Sequence, residues 1–175
     1  MTELWVFAYG SLMWQPGFAY SERVPAALIG VHRSLCIYSF HHRGTPEQPG
    51  LVLGLDEGGA CRGIAFRVPG EKRNETVAYL RAREQVTEVY VETTKTISLL
   101  DGSGMECEAL CFVADRGHPQ YAGRLSLERQ ASLVRGATGL AGSNLDYVLN
   151  TVRHLEEAGI DDVELVALAE RLTAI

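Results

Sequence analysis

No Cys-x-x-Cys pair and no apolar run long enough to span a bilayer occur anywhere in this 175-residue chain. Cys36, Cys61, Cys107 and Cys111 also stand apart from any histidine at zinc-finger spacing. The pattern therefore encodes neither a metal knuckle nor a disulfide framework, and reduced structural thiols are expected. Cys107 and Cys111 lie an even number of residues apart, which puts them on one face if their segment is a strand. Positive charge is not in excess either. Lys+Arg 16 against Asp+Glu 22 gives a formal net charge of -6, so there is no general attraction for phosphate backbones or anionic lipid. Nucleic acid and membrane are thus not expected as partners. The stretch Met1-Thr2-Glu3-Leu4-Trp5 has no basic flank and no hydrophobic core of a secretion signal, and a cytoplasmic location is expected. With no internal repeat, low-complexity tract or linker, residues 1–175 are expected to form a single domain.

At 46% hydrophobic and 22% charged residues, the chain can bury an adequate core. Short β-type runs come first: residues 4–9, 27–31, 34–38, 51–53 and 63–68, rich in aromatic and β-branched residues and separated by turn residues. They suggest a curled sheet or barrel. A helix is predicted from Lys72 to Val86, with Val77, Leu80 and Glu84 along one face. Two strands, Val89 to Leu100 and Glu106 to Ala114, flank the turn Asp101-Gly102-Ser103-Gly104 as a hairpin. The last third changes to helical period: Leu127 to Val134, then Leu145, Val148, Leu149, Val152 and Leu155, then Leu165, Leu168 and Leu172. Ser143 followed by Asp146 resembles a capping box, and Gly159 is placed just past a helix end. The order of strands and then helices predicts an α+β fold with a helical C-terminal third.

Three places carry residues suited to chemistry. The strand ending Phe7-Ala8-Tyr9 runs into Gly10-Ser11-Leu12, where a glycine turn is either a plain turn or a set of N–H groups aimed at an anion. Ser11 has neither the Gly-x-Ser-x-Gly elbow nor a Ser-x-x-Lys partner, which argues against a nucleophile. Glu84 falls on the apolar stripe of its helix. An inward carboxylate is either paired with Arg81, Arg83 or a distant arginine, or kept for proton exchange, since burial raises its pKa toward neutrality. His41-His42-Arg43-Gly44-Thr45-Pro46 reads as a polar loop rather than a metal site, because adjacent side chains of an extended chain point apart. Asn144 and Tyr147, at the start of a helix, could face a pocket, and Tyr147 could equally be a capping or core aromatic.

Trp5-Val6-Phe7-Ala8-Tyr9-Gly10-Ser11-Leu12-Met13-Trp14 resembles the N-terminal signature of the ChaC-like γ-glutamyl cyclotransferases. Similar stretches follow in order at His42 to Glu47, Gly50 to Leu55, Tyr79 to Glu84, Phe112 to Arg116 and Gly142 to Asn144, so the likeness covers nearly the whole chain. The resemblance implies a small mixed β-barrel flanked by helices, acting on glutathione or another γ-glutamyl peptide, without cofactor or metal; a monomer or weak dimer is expected. It implies that Glu84 is the catalytic glutamate. It further implies that Val6, Phe7, Ala8, Tyr9, Gly10, Ser11 and Leu12 hold the γ-glutamyl group, with Tyr147 touching substrate. Glutathione would be cleaved to 5-oxoproline and Cys-Gly. Other γ-glutamyl amino acids or amines would suit the same residues, and a non-catalytic γ-glutamyl-binding transport regulator would retain the pocket. Two departures stand out: Thr87-Glu88-Val89-Tyr90 has no counterpart of the glycine pair that many relatives carry after the glutamate, and Leu145 replaces an arginine.

Overall fold

Strand β1, Leu4–Ala8, is paired on both sides, antiparallel to β3 (Leu4↔Val68 to Ala8↔Ile64) and parallel to β5 (Trp5↔Ala109, Val6↔Leu110). A strand with neighbours on each edge and cover on each face reads as a continuous apolar run rather than an alternating one, as Val6-Phe7-Ala8 does. The computed structural model describes residues 2–174, so Met1 and Ile175, the ends of the expected 1–175 domain, lie outside the described residues. The chain divides into two compact units, Met1–Ser34 with Gly54–Asp115, and Leu35–Leu53 with Arg116–Ile175.

Five strands close into a barrel in the order β1-β3-β2-β4-β5. Strands β2, Glu22–Ser39, and β3, Gly50–Val68, each absorb two of the short runs predicted from sequence. The break in β2, His32-Arg33, is continuous strand just past a bend at Gly30 (φ +99°), and the break in β3 holds the bend Gly58-Gly59 (φ +97° and +70°), which turns the backbone without ending the strand. Helix α1 follows at Arg73–Glu84, two residues short of the predicted end at Val86. Its buried line is Thr76 and Leu80, while Val77, predicted to share that line, is only half-buried. Full burial of Leu80 contributes about 1.5–3 kcal/mol. The predicted hairpin is present as β4, Tyr90–Leu99, and β5, Glu106–Ala114, in register from Tyr90↔Ala114 to Ser98↔Glu106. The barrel core gathers Phe7, Leu28, Leu55, Ala65, Ile97 and Cys111, with Cys107 packed against it. The even spacing thus places both cysteines of β5 on the inner face, and all four cysteines are free thiols.

In the second unit three helices pack on one another: α2, Leu127–Gly136; α3, Asn144–Glu157; and α4, Val163–Thr173. A two-residue ribbon, β6 (Thr138–Gly139) with β7 (Gly142–Ser143), precedes α3. Each helix opens on a side-chain cap, Ser126, Ser143 and Asp162, and Ser143 Oγ accepts the N–H of Asp146 at 3.0 Å. Gly159 stands just past the end of α3, as expected, and its φ of +71° lets its N–H reach Glu156 O and that of Ile160 reach Leu155 O. The expected α+β class, barrel and helical C-terminal third are all present. Among the described residues no helix is long and apolar enough to cross a membrane.

Candidate active site

Where β1 stops at Ala8, the chain passes through Tyr9 and Gly10 into a single 3₁₀ turn, Ser11–Met13, closed by Met13 N–H to Gly10 O at 2.9 Å. Buried Leu12 and Met13 anchor the turn while Ser11 stays exposed. As the opening residues of the turn, Ser11 and Leu12 have N–H groups with no acceptor inside it.

Two arginines fix this turn, and sequence reasoning did not assign either a place in the site. Arg33, 7% exposed, donates from Nε to Tyr9 O and from Nη2 to Arg62 O, both at 2.6 Å. Its signal was available: Val31, Arg33 and Leu35 share the inward slots of β2, and an arginine there needs buried acceptors. Arg83 donates from Nη2 to Ser11 Oγ at 2.9 Å and from Nη1 to Gln15 O at 2.7 Å and Tyr79 Oη at 3.0 Å. No local pattern announces those partners.

Glu84 is the last residue of α1, with its side chain 17% exposed. Burial pushes its carboxyl above the ordinary carboxylate range, and the Arg83 charge pulls it part of the way back. Of the two readings left open by its place on the helix, the salt bridge is present only as a loose pair. Arg83 Nε lies 3.7 Å from Glu84 Oε1, inside ion-pair range and beyond hydrogen-bond range. Arg81 is engaged elsewhere, gripping Glu92 of β4 with two bonds of 2.6 and 3.0 Å. The result is a sheltered carboxyl that gains and loses a proton at a higher pH than a surface glutamate. Through Arg83 it shares a partner with the Ser11 turn.

In the second unit Tyr147 Oη accepts the N–H of Leu53 at 3.0 Å, and the Arg43 guanidinium lies 5.5 Å from its ring centre. Asn144 is fully buried, with Oδ1 accepting Leu51 N–H and Nδ2 donating to Leu51 O, both at 2.8 Å. The Asn144 amide is thus bonded to the backbone of β3. His41 and His42 are exposed, and their carbonyls accept the N–H groups of Leu140 and Ala141. A cleft of about 550 Å³ in the first unit, lined by Trp5, Arg73, Arg81, Glu92 and Glu108 among others, contains neither Glu84 nor residues 6–12. Of its two arginines, Arg81 is paired with Glu92 and Arg73 donates to Glu3 O.

Residues 4–174 match the family described as ChaC-like protein, and the chain belongs to that family. It is 35% identical over 159 residues to the Escherichia coli (strain K12) glutathione-specific gamma-glutamylcyclotransferase, covering 91% of this chain and 68% of that one. It is 33% identical over 171 residues to the Homo sapiens glutathione-specific gamma-glutamylcyclotransferase 1, covering 95% and 77%. The crystal structure of the selenomethionine-labelled yeast gamma-glutamyl cyclotransferase specific to glutathione superposes with a TM-score of 0.86 over 98% of this chain and 96% of that one. At 22% identity this last likeness speaks for the fold.

Proposed function

We propose that this protein is a γ-glutamylcyclotransferase that cleaves glutathione to 5-oxoproline and Cys-Gly, with Glu84 as its proton-transfer group. The observation that carries the reading is the sheltered Glu84 carboxyl, raised by burial and tied through Arg83 to the Ser11 turn. The names of relatives at 33–35% identity support the substrate.

In a γ-glutamyl amide the substrate supplies its own nucleophile. The free α-amine attacks the γ-carbonyl carbon, a five-membered lactam closes, and the γ-carbon to amide-nitrogen bond breaks. No water is consumed. The protein has to hold the folded conformer, take a proton from the α-ammonium and return one to the departing nitrogen. Glu84 performs both transfers in turn, and a raised pKa suits a group that must accept and then release a proton near neutrality. Val6 to Ala8 supply the strand that ends beneath the substrate. Tyr9, Gly10, Ser11 and Leu12 grip the γ-glutamyl group, with the N–H groups of the turn on its developing oxyanion or its α-carboxylate. Tyr147 is carried as a further substrate contact by the family resemblance alone. Residues 1–175 act as one cytoplasmic ChaC-like domain, as a monomer or weak dimer.

The test is incubation of pure protein with glutathione, γ-glutamylcysteine and other γ-glutamyl amino acids, with 5-oxoproline measured for each. Glutathione should yield equal amounts of 5-oxoproline and Cys-Gly, and Glu84→Gln should lower turnover by orders of magnitude. Product from the other substrates alone would move the specificity. Binding of glutathione without consumption would make the protein a γ-glutamyl-binding regulator instead.

A further inference from the structure

We infer that Arg83 is a positioning residue for this reaction, its fork holding the Ser11 turn while its Nε faces Glu84, so that cradle and carboxylate keep one register. The inference rests on the cyclotransferase reading. It begins with the rigidity of the guanidinium, a planar group whose donors point in fixed directions. Nη2 is spent on Ser11 Oγ, and Nη1 on Gln15 O and Tyr79 Oη, at 2.7–3.0 Å. Acceptors from the turn, from the segment after it and from α1 itself therefore fix the plane from three sides. That leaves Nε on the side of Glu84, at 3.7 Å.

The distance has a chemical consequence. A bidentate arginine would occupy the carboxylate oxygens and hold the proton off, as Arg81 does with Glu92. Arg83 instead steadies Glu84 by charge while Nε takes neither oxygen in a hydrogen bond, which leaves the carboxylate able to meet an ammonium proton. Exposure separates Arg83 from a surface ion pair, because its side chain is 24% exposed against 57% for Arg81. Arg81, one turn's fraction away on the same helix, is committed to β4 and cannot substitute. Among the described residues, Arg83 is the charged group in ion-pair range of Glu84, and residues 9–15 facing it across the fork bring no Asp, Glu, Lys, Arg or His.

Two variants separate fork from charge. Arg83→Met keeps the apolar stem, and Arg83→Lys also keeps the charge; if the first folds poorly, the second still decides. With glutathione as substrate, Arg83→Met should lower kcat roughly a hundredfold with a much smaller change in KM, the scale of a misplaced reacting group. Arg83→Lys should leave kcat down at least about tenfold, because donors on a single ammonium nitrogen cannot reach acceptors spread around a planar fork. Full recovery of kcat in the lysine variant, or a methionine variant within about twofold of wild type, would overturn the proposal. A carbon-13 titration of the Glu84 carboxyl gives a readout independent of turnover: its midpoint should rise in Arg83→Met and stay near wild type in Arg83→Lys. An unmoved midpoint in Arg83→Met also overturns it. Wild-type protein that forms no 5-oxoproline would sink the cyclotransferase reading instead, with the titration still deciding the Arg83–Glu84 link.

Discussion

The hydroxyl oxygen of Tyr147 accepts the backbone N–H of Leu53 at 3.0 Å, joining the first turn of α3 to the strand β3 within the second unit. A phenol used in this way has a structural task whether or not it also meets substrate. Tyr147→Phe keeps the ring and removes the acceptor, and should cost about 0.5–1.5 kcal/mol, the net worth of one hydrogen bond. Urea unfolding and glutathione kinetics on the same variant decide between roles. Lost stability at unchanged KM assigns the hydroxyl to the fold, whereas a raised KM at unchanged stability assigns it to substrate.

Gly17 sits at φ +74°, and a Cβ built there would lie 2.1 Å from Tyr79 Oη, the oxygen that accepts from Arg83. Gly17→Ala therefore meets two costs, a left-handed backbone worth about 1–2 kcal/mol and a displaced Tyr79. Thermal unfolding should show the first and a fall in kcat the second. Wild-type values for both would remove Tyr79 from the chain of contacts behind Arg83.

The pH dependence follows from the raised pKa of Glu84. For a carboxyl raised on folding, the stability gained by holding the neutral form is full below the unfolded value and is lost as pH rises through the folded one. Once ionised, the sheltered Glu84 therefore costs stability. Glu84→Gln should melt at higher temperature than wild type at pH above the Glu84 titration, with the gap closing as pH falls below the ordinary carboxylate range. A gap that widens in acid would contradict burial as the cause. In the wild type, the acid limb of kcat/KM should lie above the pH at which an exposed glutamate titrates.

Ser11→Ala removes one of the acceptors of Arg83 and leaves the backbone of the turn intact. Loss of one charge-assisted hydrogen bond at about 1.5–3 kcal/mol lowers turnover by at most about a hundredfold, well short of the loss in Glu84→Gln. Equal damage in the two variants would place chemistry on the serine hydroxyl.

Local signals were legible in proportion to how local they are. The hairpin around Asp101 to Gly104, the cap at Ser143 and the helix end at Gly159 each depend on a few neighbouring residues, and all stand where the sequence places them. Strands β2 and β3 were under-read because a glycine bend and a charged stretch look like loop when the paired neighbours are unseen. The buried line of α1 shifted from Val77 to Thr76 because packing, rather than side-chain polarity, selects which face of a weakly amphipathic helix is covered.

The same division runs through Glu84. Its presence on an inward line of a helix, and the glycine turn after β1, are determined by residue type and spacing alone. That Arg81 takes Glu92 while Arg83 reaches Gln15 and Ser11, 68 and 72 residues away, was decided by the tertiary structure alone. An arginine's partner is whichever acceptor the fold brings within about 3 Å, and spacing along the chain carries no record of that distance.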